Sequence, residues 1–133
     1  MSCVCINQQN LLDNGDFSDW TTNDPDSWTV STEDGSNYIE ESDSSCRLVS
    51  DGSYIGMSQI ILTVGKFYDV EIVVDSVISG GIVVDIGGSA QVAITAAGTY
   101  NYNNVEATSL TYIEIKRNTA CDVYFDNVTA YIH

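Results

Sequence analysis

This sequence has little positive charge, almost no proline or histidine, and no long apolar run. Four lysines and arginines stand against nineteen aspartates and glutamates, a formal net charge of −15. Such a field repels phosphate backbones and anionic headgroups, which excludes nucleic acid and membrane surfaces as partners. The longest apolar runs, such as 60–62 and 82–84, have strand length, far short of the roughly 20 residues of a membrane-spanning helix. The single histidine is His133, the last residue, so no embedded imidazole can act as a general base. Nucleophile-elbow, zinc-protease and phosphate-loop patterns are absent as well. With so many acids, carboxylate pairs arise by chance, and no enzyme is expected. The opening MSCVCINQQN lacks the basic and long apolar regions of a secretory signal. The expectation is a protein that acts where it is made, or leaves the cell by assembly or lysis.

Helical periodicity is also missing. What is present is a series of short segments rich in Val, Ile, Thr and Tyr, cut by Gly, Asn, Asp and Ser. Strands are predicted over 28–31, 37–41, 46–50, 54–62, 66–75, 80–86, 89–95, 98–103, 110–117 and 121–132, with an opening strand at 10–12. Alternation is clear in places. Tyr68, Val70, Ile72 and Val74 share one face against Asp69, Glu71 and Asp75, and Ile113 and Ile115 oppose Glu114 and Lys116. One buried face and one wet face per strand is the pattern of an antiparallel β-sandwich. In the last segment Val123 and Phe125 are out of phase with Val128, Ala130 and Ile132, which predicts a one-residue bulge at Asp126–Asn127. Length and composition favour one domain, with residues 10–133 forming the sandwich and residues 1–9 a separate arm.

The cysteines are Cys3, Cys5, Cys46 and Cys121. The single-residue spacing of the first two suits neither a mutual disulfide nor a zinc site. Cys46 and Cys121 each open a predicted strand. Buried free thiols are expected, with a Cys46–Cys121 bridge as the alternative. The sequon at Asn127 lies in a predicted core strand and is read as chance.

The segments NLLDNGDFSDW (10–20), WTV (28–30), SQIILTVGKFYDVEIVV (58–74) and VYFDNVTAYI (123–132) resemble the jelly-roll β-sandwich, galactose-binding-like, of carbohydrate-binding modules of the family 4/9/22 type. The likeness runs over 10–132, and similar modules occur in phage virion proteins, in capsid decorations and tail fibres. It implies that Phe17 and Trp28 are core residues and that the two chain ends close the sandwich together. It also implies a structural calcium, Ca2+, with Asp16, a carbonyl around Asn14, and Asp126 as ligands. Where the family usually has an acid after the Phe, this chain has Ser18.

Two functions from different classes follow. The first is a non-enzymatic virion structural protein, a capsid decoration or tail-associated module assembled in the host cytoplasm. Its partner would be a capsid or tail protein, held by the arm through Cys3, Val4, Cys5 and Ile6, and a homo-oligomer is compatible with it. The alternative is an extracellular glycan-binding module. A sugar needs aromatic platforms for its C–H faces and polar groups for its hydroxyls. The candidates are Trp20, Tyr38, Tyr54, Tyr100 and Tyr102, the last two interleaved with Asn101, Asn103 and Asn104.

Overall fold

The computed structural model describes residues 9–133, and the arm residues Cys3, Val4, Cys5 and Ile6 lie outside them. Twelve strands follow one another: β1 (Trp20–Thr21), β2 (Asp24–Pro25), β3 (Thr29–Val30), β4 (Tyr38–Ser42), β5 (Ser45–Ser50), β6 (Gly56–Ile60), β7 (Phe67–Ser79), β8 (Ile82–Ile86), β9 (Ser89–Ala90), β10 (Gly98–Glu106), β11 (Tyr112–Arg117) and β12 (Cys121–Ile132). There is no helix among the described residues. One antiparallel sheet has the order β10-β7-β12-β5-β4, and the other β3-β6-β11-β8-β9; β1 and β2 form a separate ribbon. The architecture is the expected all-β sandwich.

Alternation decides which side of each strand is dry. Tyr68, Val70, Ile72 and Val74 of β7 are buried, as are Ile113 and Ile115 of β11. They meet Leu48, Met57, Val84 and Ile86 between the sheets in one continuous core. The β12 bulge is present: Asp126 pairs with Val73 and Val128 with Ile72, leaving Asn127 unpaired with φ 41°. Val123, Phe125, Val128 and Ala130 are all buried as a result, while Ile132, on the same parity, is 57% exposed at the strand end. The β4–β5 hairpin turns through Asp43 (φ 47°) and Ser44 (φ 67°), both left-handed, as a two-residue type I′ turn demands.

The opening segment is not the strand expected at 10–12. The Leu11 N–H donates to the Ala130 carbonyl at 2.8 Å, but the Ala130 N–H goes to the Asn10 side-chain oxygen at 3.0 Å. A side chain therefore takes the place of a ladder carbonyl, and regular pairing stops. The same segment is clipped to the other sheet, where the Gln59 amide bonds both the N–H and the carbonyl of Asp13 at 2.8 and 3.0 Å. The chain ends thus close the sandwich together. Phe17 is fully buried under this closure, 5.7 Å from Trp28 and 5.5 Å, edge to face, from Phe125.

Cys46 and Cys121 are free and buried. Cys46 pairs with Phe125, and Cys121 with Ser50. Four register steps separate them, about 13 Å along the strands, beyond the reach of a disulfide. No Cys46–Cys121 bridge forms.

Candidate functional site

The length of β7 sets up the site. Its thirteen residues run between β10 and β12, and its wet side carries Asp69 and Glu71. Register places Asn101 of β10 and Thr129 of β12 directly across from Glu71, and Tyr131 across from Asp69. Asn103 stands where a β10 bulge shifts the pairing between Tyr102 and Val105. Together these six side chains line a cleft of about 110 Å³ on the outward face of the sheet. Glu71, Asn101, Asn103, Thr129 and Tyr131 make no side-chain hydrogen bond to another described residue. A carboxylate, two amides, a hydroxyl and a phenol thus converge on one hollow with their bonding capacity unspent. Asp69 differs. It accepts the Asn104 N–H at 2.8 Å and meets His133 Nδ1 at 2.7 Å. The Asn104 bond, reinforced by His133, holds its carboxyl below the usual range against the opposing effect of burial.

Further along the same face lies Tyr124, with the Arg47 guanidinium 5.2 Å from its ring centre. Arg47 donates to Asp122 from Nε and Nη2 at 2.9 and 2.8 Å, and to Glu40 from Nη1 at 2.9 Å. The Asp122 bonds above all raise its already high pKa. Of the other cations, Lys66 precedes β7, and Lys116 and Arg117 belong to β11 in the opposite sheet. No lysine or arginine lines the cleft.

The sequence-predicted aromatics are not brought together. Trp20 is half-buried, its Nε1–H donates to the Phe17 carbonyl at 2.6 Å, and its ring lies 6.5 Å from that of Phe17. Tyr38 sits on edge strand β4, paired with Val49. Tyr54 belongs to the other side of the sandwich, where its hydroxyl donates to the Glu114 carboxylate, and its own pKa is raised, first by burial and then by that partner. Tyr100 and Tyr102 pair with Ile72 and Val70, so their rings turn toward the core. The Tyr100 hydroxyl is spent on the Ala96 carbonyl at 2.6 Å. The interleaved Asn101 and Asn103 are what that strand presents outward. Tyr131, Thr129 and Glu71 escaped sequence reasoning. The phase change at Asp126–Asn127 places Thr129 and Tyr131 opposite the buried Val128 and Ala130, but their meeting with Glu71 needs the strand order.

The residues implied as calcium ligands have hydrogen-bond partners within the loop and the bulge. Asn14 donates from Nδ2 to the carbonyls of Asp19 and Asp26 at 2.8 and 2.9 Å and accepts the Asp19 N–H at 3.0 Å. Its carbonyl takes Trp28 Nε1–H at 3.1 Å and the Phe17 N–H at 3.3 Å. Asp16 Oδ1 accepts from Ser18 N and Oγ, and Asp126 Oδ1 from Asn127 N. Among the described residues no three His, Cys, Asp or Glu side chains form a group able to hold a metal ion. Asn14 is committed to the loop through its side chain and its own carbonyl. Asp16 and Asp126 are therefore the implied residues that keep carboxylate oxygens to offer a hard cation, which calcium would complete with backbone carbonyls and water.

No protein-family model matches the chain, and no curated protein matches it in sequence. Solved structures do match in fold. One is a family 61 carbohydrate-binding module in complex with β-1,4-galactotriose, at 18% identity over 94% of this chain and 99% of that one, with a TM-score of 0.58. A second is the CBM22-1 xylan-binding domain of Xyn10C from Paenibacillus barcinonensis, at 13% identity over 94% and 95% of the two chains, TM-score 0.55. A third is the enzymatically active domain of tailspike protein 4 from bacteriophage CBA120, at 15% identity over 93% of this chain, TM-score 0.59. This chain spans about a fifth (21%) of the tailspike domain's length. The fold is the jelly roll of carbohydrate-binding modules, one that a phage tailspike also contains.

Proposed function

We propose that this chain is a non-catalytic glycan-binding module that takes its ligand in the cleft over β10, β7 and β12. One observation carries the reading. The row Asn101–Glu71–Thr129, beside Tyr131, gathers donors and acceptors that have no partner among the described residues. Polar groups that fold stability does not employ, set next to an aromatic ring, match the hydroxyl rim and apolar C–H face of a sugar. The jelly-roll fold shared with carbohydrate-binding modules supports the same reading. A glycan array probed with the wild-type protein and with Tyr131→Ala tests it. Retention on at least one neutral glycan is expected, with a loss of about tenfold or more in the variant. Wild-type protein that binds no glycan would sink the proposal.

A second reading, a virion component, draws on the tailspike likeness. Co-sedimentation of the protein with phage particles or capsids tests it, and glycan binding and virion attachment can coexist in one module.

A further inference from the structure

We infer that the cleft selects glycans bearing protonated amines over their neutral counterparts and rejects anionic ones; this rests on reading the cleft as a glycan site. Glu71 occupies the middle of the three-strand row, flanked by an amide and a hydroxyl, with no hydrogen-bond partner among the described residues. Asp69, two residues along the same strand face, adds a second carboxylate whose Oδ1 is already engaged by Asn104 and His133. Arg47, on the same sheet face, is held by Glu40 and Asp122, and the imidazole of His133 beside the cleft is taken by Asp69. The rest of the molecule adds negative charge at longer range.

The chemistry of discrimination follows from Glu71. A sugar hydroxyl donates one ordinary hydrogen bond to a carboxylate. An ammonium at the same place donates a charge-assisted bond, roughly twice as strong, and neutralises a charge that the protein leaves alone. A uronate or sulfate there meets like charge with no lysine or arginine to receive it. The partner is therefore an oligosaccharide with free amino groups, such as oligomeric glucosamine. Glu71 is partly exposed, so solvent limits the preference to about five- to tenfold in affinity.

Titration calorimetry with the glucosamine hexasaccharide and its fully N-acetylated form, on wild-type protein, Glu71→Gln and Glu71→Asp, tests this. The amine form is expected to bind about five- to tenfold more tightly to the wild type. E71Q should lose that preference, E71D should keep most of it, and added salt should erode it. Equal affinity for the two oligomers, or a preference that survives E71Q, overturns the inference. Binding of neutral glycans with no binding of the amine form overturns it too, yet leaves the glycan reading standing. Silence across all glycans removes both.

Discussion

The Val128 N–H donates to the Gly15 carbonyl at 2.7 Å, and a β-carbon on Gly15 would stand 2.1 Å from the Val128 oxygen. The acidic turn near the start of the chain thus lies directly on the residue that follows the β12 bulge. Both neighbours are backbone, so neither can swing aside. Gly15→Ala is expected to destabilise the protein by about 1–3 kcal/mol, the range of an overpacked core site. Urea unfolding would show it as a lower midpoint with an unchanged slope.

Phe17 holds a left-handed backbone (φ 54°), rare for a bulky residue. Conformations of this kind cost about 1–3 kcal/mol and persist where surrounding contacts enforce them. Here the ring is locked among Trp20, Trp28 and Phe125. Phe17→Ala and Phe125→Ala should each cost about 3–5 kcal/mol. A double-mutant cycle should return a coupling of about 0.5–1.5 kcal/mol for the edge-to-face pair. A coupling of zero would mean that the two rings act independently.

The carboxyls of Asp34, Asp51 and Asp69 are held below their ordinary value of 3.8, in each case chiefly by a backbone N–H donated to the carboxylate. Their contribution is complete above that value and is lost as pH falls through the lowered folded values. Asp126 runs the other way. Burial raises its pKa above 3.8, assisted by the charges of Asp75 and Asp16 and opposed by the Asn127 N–H. The folded state there retains a proton that the unfolded state has released, so Asp126 subtracts from stability as pH rises past 3.8. Asp126→Asn keeps an acceptor for Asn127 and is expected to be more stable than wild type at neutral pH, with the gain vanishing in strong acid. Thermal unfolding across pH checks this, and a gain that persists below pH 3 would refute it.

The thiol of Cys46 lies beside the Met57 sulfur at 3.7 Å and is pushed well above its ordinary pKa by burial. Burial likewise pushes Cys121 up to about 11. Both should resist alkylation in the native protein and react once denaturant unfolds it. Peptide mapping by mass spectrometry reads the two sites separately. Rapid labelling of either in the folded state would contradict the burial described above.

The alternation in 66–75 and 110–117 and the phase break in 121–132 were legible in the sequence because a strand's side-chain period is two and a bulge is the local way to change phase. The burial of Phe17 and Trp28 was legible only through the resemblance of the opening segments to carbohydrate-binding modules, not through local alternation. The cleft was not legible in the same way. Glu71, Asn101 and Thr129 are thirty and twenty-eight residues apart in sequence, and they form a row because β7 lies between β10 and β12. Tyr100 and Tyr102 show the same limit: period two places them on one face, but it does not say which face meets the core. The chain by itself determined that this protein is a sandwich of strands with one dry side each, since apolar spacing dictates what must be buried. Strand order and register, set by how both sheets close over a shared core, decided which polar side chains meet on the wet side.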